Sequence, residues 1–202
     1  QIMNFMRRLL QAVVAIALPA VMTGAAADTT EQFTAVQAQF EVGLRGSAKD
    51  NVQAAEKFRA LTEIDPDNPL YLAYYGATFA IKADDTFLPW RAMKLGETGL
   101  DLIDKAMRKL TPAHDTQLAR GGAPQSIETR LVAISTFLQV PDRFFHRFDR
   151  GRTLLSQTMQ SDVFSGSPAP IRARFWFLVA FVAQKEKRKQ DEIAALKRVA
   201  EV

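Results

Sequence analysis

The five residues Asp65-Pro66-Asp67-Asn68-Pro69 place two prolines three positions apart, and no continuous helix or central strand can pass through them. On the upstream side Ala54, Phe58, Leu61 and Pro66 follow one another at intervals of 4, 3 and 5 residues. On the downstream side Leu72, Tyr75, Gly76 and Phe79 follow at intervals of 3, 1 and 3. Residues three and four apart share one face of a helix, so each set is a packed helical stripe, and the prolines make a turn between two helices. Asn68 is suited to cap the second helix, with Pro69 at its first position, where the missing N–H costs nothing.

The rest of the chain has the same period. Thr29 or Thr30 is expected to cap a helix running to about Arg45, with Phe33, Val36, Phe40 and Leu44 as its stripe and Gly46-Ser47 as its end. Asp50 or Asn51 would then cap the helix carrying Ala54, Phe58 and Leu61. From Pro69 to about Lys82 the sequence is apolar on nearly every side, which predicts a helix buried all round. A long helix from about 87 to 110 follows, its stripe opening with Leu88, Ala92 and Leu95 and continuing through Leu100, Ile103 and Met107, and Gly96 and Gly99 are kink candidates. Residues 111–125, with Pro112, Gly121-Gly122 and Pro124, read as a loop. Beyond it Ser126 is expected to cap a helix bearing Leu131, Ile134, Ser135 and Leu138. A helix from about Arg143 to Met159, bent near Gly151, should come next. The last pair would be a core helix containing Trp176, Val179, Ala180 and Ala183, and a partner from about Gln190 to Glu201 with Ile193, Leu196, Val199 and Ala200 buried. No segment alternates long enough to propose a sheet.

The spacing over 54–79 resembles the tetratricopeptide repeat family, whose helix pairs stack into a solenoid and usually bind other proteins. The likeness is specific over 54–79, looser over 80–110, and rests on helix spacing beyond 126. It departs from the family at Leu61, where a small residue is usual, and at the 111–125 loop. The resemblance implies an all-α fold of about eight antiparallel helices in a short superhelical array. Residues 28–110 would supply the first hairpins and 126–202 the later ones, in a single domain spanning 28–202. It also implies that Leu70, Ala73, Ala77, Ala80 and Ile81 face the groove. All five are apolar, so another helix of the chain or a bound hydrophobic segment is expected to cover them.

Ahead of this array, Arg7-Arg8, the apolar run Leu9–Leu18 and Ala25-Ala26-Ala27 follow the order of a bacterial secretory signal, with cleavage expected between Ala27 and Asp28. The alternative is an uncleaved anchor, since Leu9–Ala27 is 19 residues without a charge. Both leave residues 28–202 on the outer side of the cytoplasmic membrane, in the periplasm. The formal charge of +4 includes those two leader arginines. Residues 28–202 carry 24 basic and 22 acidic side chains, a balance that does not imply nucleic acid. The chain has no cysteine, which excludes disulfides and thiolate metal sites.

Little here points to catalysis. The two histidines, His114 and His146, are isolated, and the paired aspartates 65/67 and 84/85 lack the spacing of a calcium loop. There is no phosphate-cradling glycine loop and no nucleophile elbow. Neither a catalytic residue nor a cofactor or metal site is therefore assigned. The richest segment is 142–152, in which Arg143, Arg147, Arg150 and Arg152 alternate with Phe144, Phe145 and Phe148. As one amphipathic helix it would offer a basic face to an acidic partner or anionic lipid. The functional expectation is a non-catalytic adaptor or accessory subunit of an envelope transport or secretion complex, bound to another envelope protein and associated with the membrane through residues 9–27. The alternative is a carrier of a lipid or other apolar small molecule between the 69–82 and 175–183 helices.

Overall fold

The computed structural model describes the backbone of residues 25–202 and side chains from Glu31 onward; the leader as far as Gly24 lies outside the described residues. The fold is all-α. Ten α-helices and two short 3₁₀ turns account for nearly all of the described chain, and among those residues there is no strand, only an isolated bridge between Leu118 and Pro124. No described helix is long and apolar enough to cross a membrane. The chain divides into two compact units, one ending at Ala106 and the other beginning at Met107.

The first unit holds α1 (Ala25–Leu44), α2 (Ala48–Ile64), α3 (Pro69–Asp84) and most of α4 (Pro89–Lys109). Its α1–α2 turn uses Gly46 at φ 107°, a conformation that disfavours any residue with a Cβ. The cap on α2 is Ser47, not Asp50 or Asn51. The Ser47 hydroxyl accepts the Asp50 N–H at 3.3 Å, which places Asn51 inside the helix, where it is buried. At the second turn Asn68 Oδ1 accepts the N–H groups of Leu70 (3.1 Å) and Tyr71 (3.4 Å), with Pro69 at the first helical position. Asn68→Ala removes that acceptor, and a loss of about 1 kcal/mol is expected in urea unfolding.

Helical spacing brings Phe33, Val36 and Phe40 of α1, Ala54, Phe58 and Leu61 of α2, and Leu70, Tyr71 and Tyr74 of α3 into one core. Phe58 stacks on Tyr74 with ring centroids 5.1 Å apart, and Phe40 meets Tyr74 edge-on at 5.2 Å. Burying the Tyr74 hydroxyl requires a partner, and Gln37 Nε2 donates to it at 2.6 Å. Burial, with a smaller contribution from the Asp65 charge, pushes the neighbouring Tyr71 phenol above its ordinary pKa.

Two close approaches of backbone set the helix spacing. A Cβ added at Gly43 would meet the Asn51 backbone nitrogen at 2.9 Å, and one at Gly76 would meet the Gly99 carbonyl oxygen at 2.7 Å. Helix α4 runs unbroken over Pro89–Lys109, and Gly99 lets α3 come close. The opening of the expected stripe is corrected: Leu88, Ala92 and Leu95 are only partly covered or exposed, whereas Leu100 and Ile103, farther along the same stripe, are buried as expected, Met107 is half-buried, and Gly96, Gly99 and Ala106 complete the buried positions.

The second unit begins with 3₁₀ turns at Pro112–Asp115 and Arg120–Gly122, with Gly121 and Gly122 at φ 73° and 76°. It continues with α5 (Gln125–Gln139), α6 (Asp142–Phe145), α7 (Phe148–Met159), α8 (Asp162–Ser165), α9 (Ala169–Lys185) and α10 (Lys189–Glu201). Its core joins Ile127, Leu131, Ile134 and Phe137 of α5 to Leu155, Phe164, Phe175, Leu178 and Phe181. Gly151 is buried inside α7. A Cβ there would lie 3.0 Å from the Leu138 side chain, so the glycine admits α5.

Three further expectations are corrected in this unit. Ser126 is not a cap: α5 starts one residue earlier behind Pro124, and Ser126 is fully buried. The helix expected over 143–159 is broken at His146, which adopts a left-handed conformation at φ 50°. The break is held by Asp142, whose Oδ1 accepts the Phe148 N–H at 2.9 Å and so serves the start of α7. On α10 the expected buried stripe is largely open. Ile193 is 45% exposed and Leu196 39%, whereas Ala195 is buried against its surroundings at 3%.

Candidate functional site

The open concavity of the first unit lies where α2, α3 and the α3–α4 connection meet. Two adjoining hollows share Asn51, Val52 and Lys82. The smaller, of about 190 Å³, continues along Ala55, Glu56, Arg59, Tyr75, Thr78 and Phe79. The larger, of about 600 Å³, is walled by Ala48, Asp85, Thr86, Phe87, Leu88, Arg91 and Leu95.

Helical spacing positions these groups. Tyr75, Phe79 and Lys82 are four and three residues apart on one face of α3, and the Tyr75 and Phe79 rings meet edge-on at 5.2 Å. Val52, Ala55, Glu56 and Arg59 form the matching row on α2. Asn51 forms the floor: it is 2% exposed, and its Nδ2 donates to the Thr78 carbonyl at 3.1 Å. Its Oδ1 has no hydrogen-bond partner among the described residues. One turn of α2 from the hollow, the Ser47 hydroxyl donates to Asp50 and is the main cause holding that carboxyl below its ordinary pKa.

Phe87 and Leu88, at the edge of the larger hollow, begin an uncharged run, Phe87-Leu88-Pro89-Trp90. Phe87 is fully exposed, Trp90 is 70% exposed and Leu88 39%, with Val52 opposite at 44%. Four consecutive apolar residues facing water are a liability in a folded chain unless something covers them. Sequence reasoning missed this feature by assigning Leu88 to a core stripe. The available signal was the uninterrupted run itself, placed directly after the Asp84-Asp85-Thr86 turn and containing the first-turn Pro89.

The residues singled out from sequence lie elsewhere. Leu70, Ala73 and Ala77 are buried at 1%, 0% and 5%, and Ala80 and Ile81 are half-buried, so they do not line the open hollows. In the second unit the helix break separates the arginines. Arg143 belongs to α6 and lies 4.5 Å from the ring centre of its neighbour Phe144. Arg147 and Arg150 stand over the Phe137 ring at 5.7 and 5.0 Å, capping a core aromatic with cation–π contacts. Arg152 pairs with Asp149 at 3.2 Å and Glu186 at 3.1 Å. The phenylalanines of this segment are only partly covered: Phe144 is 49% exposed, and Phe145 and Phe148 are half-buried.

His114 closes a local turn, its Nδ1 accepting the Thr111 N–H at 3.0 Å, and Asp115 faces Arg130 at 3.8 Å. No group of three or more His, Asp or Glu side chains placed to hold a metal occurs among the described residues. What the first-unit groove can do chemically is bind. It combines apolar walls, cations at the rim and a floor tied by the Asn51–Thr78 hydrogen bond.

No protein-family model, curated protein or solved structure matches the chain.

Proposed function

We propose that this chain is a non-catalytic protein-interaction module, built as a short tetratricopeptide-like array of helix pairs and acting as an adaptor or accessory subunit of a bacterial envelope complex. The observation that carries this reading is the exposed Phe87–Trp90 run, whose first two residues, Phe87 and Leu88, border an open groove. A contiguous apolar surface of that kind, rimmed by polar side chains, is where protein contacts form. The tetratricopeptide likeness is supported by the capped Asn68-Pro69 turn and by the small residue, Gly76, at a close helix crossing. The envelope address and the membrane association through residues 9–27 are proposed from the order of the leader, with its arginines, apolar run and alanines.

A photo-crosslinking residue placed at Phe87, and in a parallel strain at the exposed Ile193, tests the reading in the cell that makes the protein. The expected result is a covalent adduct with one specific envelope protein from at least one of the positions. Intact-mass measurement of the same material is expected to show loss of residues 1–27 if the leader is a cleaved signal and the full mass if it is an anchor. The absence of any protein adduct would overturn the adaptor reading. A second reading, a carrier for a lipid or other apolar small molecule, is favoured by the size of the larger hollow, about 600 Å³, which is in the range of ligand pockets. Native mass spectrometry distinguishes it by a bound small molecule that persists after purification.

A further inference from the structure

We propose that the groove between α2, α3 and the start of α4 receives a short, acidic, apolar segment of a partner protein. This rests on the interaction-module reading and names the chemistry of its ligand. Three features of the groove converge on it.

The walls are apolar and already open. Val52, Phe79, Leu88 and Leu95 line the hollows, and the fully exposed Phe87 ring stands at the edge of the larger one. A concavity beside an upstanding ring fits an inserted side chain better than it fits a flat surface, because anchors dock in pockets where both partners lose water.

The charge at the rim of the larger hollow is positive; the smaller one balances Lys82 against the exposed Glu56, and its Arg59 pairs with Glu63 at 3.2 Å. Lys82 borders both hollows and Arg91 borders the larger. Both are exposed, and neither has an ion-pair partner among the described residues, whereas Asp85, the acid lining the larger hollow, is engaged within the chain. The N-terminus of α4 at Pro89 adds the positive end of a helix dipole beside Arg91. Carboxylates on the incoming segment are therefore favoured, and a basic segment is repelled.

The floor is preformed. Asn51, 2% exposed, donates from Nδ2 to the Thr78 carbonyl at 3.1 Å and ties α2 to α3 beneath both hollows, so the groove does not have to be built on binding.

Selection of a random peptide display library on the full chain, followed by fluorescence anisotropy of the enriched peptides, tests the proposal. The enriched peptides are expected to carry a net negative charge together with Leu, Phe or Trp. Their dissociation constants should rise by about tenfold or more in K82E/R91E and in F87S, and affinity should fall with added salt. These substitutions lie at exposed positions, and matching thermal unfolding curves will confirm that the variants fold.

Enrichment of neutral or basic peptides, or binding indifferent to the three substitutions, overturns the groove assignment. So does selection of no peptide, including the case in which the chain sediments with phosphatidylglycerol vesicles in a Phe87-dependent manner. The two readings fail separately. A crosslinked envelope protein at Ile193 without one at Phe87 leaves the interaction module standing and removes this groove as its site.

Discussion

Phe58→Ala is expected to destabilise the chain by about 3–5 kcal/mol, with a fall in Tm of more than about 10 °C. Phe58 is fully buried at the centre of the first unit. Its ring stacks on Tyr74 at 5.1 Å and meets Phe40 at 6.0 Å and Phe33 at 6.2 Å. Truncation loses the transfer of a whole ring from water and leaves a cavity whose other walls are themselves rings. Flat, rigid side chains collapse poorly into a void, which places the cost toward the upper end of the range for such changes. Removing the ring also exposes the Gln37–Tyr74 hydrogen bond to rearrangement, because Tyr74 loses its stacking partner. Phe58→Leu keeps much of the apolar volume and should cost clearly less. Equilibrium unfolding in urea separates the two variants. A loss below about 1 kcal/mol for the alanine variant would mean that the ring cluster is not the core of this unit.

The turn at 65–69 could be read directly from sequence because its physics is local. Asn68 reaches the two N–H groups next along the chain, and Pro69 needs no distant partner to be acceptable where it sits. The helical spacing of Ala54, Phe58 and Leu61 was enough to place all three in the core. Where neighbouring residues offered equivalent chemistry, the sequence could not choose. Ser47, Asp50 and Asn51 are all competent caps; Ser47 takes the role, and Asn51, inside the helix, is a buried tie to Thr78. The break at His146 was hidden for a related reason. It depends on Asp142 accepting from Phe148 six residues away, and a non-glycine residue gives no sign of a left-handed conformation.

The candidate site was legible only in fragments, because a stripe of apolar residues does not say whether another face exists to cover it. Ile193 and Leu196 have the spacing of a core helix and remain exposed, as does Phe87 at the head of an equally apolar run. The arginines at 147 and 150 were readable as basic. That they stand over Phe137 depends on how α5 and α7 pack, which no local pattern encodes.

Gly76→Ala should run against helix propensity. In an exposed helix interior the change gains about 1 kcal/mol, because alanine restricts the unfolded chain more than glycine does. Here the added methyl would sit 2.7 Å from the Gly99 carbonyl oxygen and 2.8 Å from Ile103 Cγ1. The carbonyl belongs to the backbone of α4 and cannot move aside by a rotamer change. Relief requires separating α3 from α4, and that loosens the packing of Ile103, a fully buried side chain. Overpacking of this kind costs about 1–3 kcal/mol, so after the propensity gain a net loss of up to about 2 kcal/mol is expected. Gly99→Ala meets the Gly76 carbonyl oxygen at 2.6 Å from the other side and should behave alike. Since either substitution opens the same crossing, the double variant should lose less than the sum of the two single losses. Gly121→Ala provides the contrast: nothing lies within 4 Å of its added Cβ, but its φ of 73° makes alanine strained, so any loss there comes from backbone conformation alone. Urea midpoints for the four variants read these effects directly. A stabilised Gly76→Ala would show that α3 and α4 do not cross closely at these glycines.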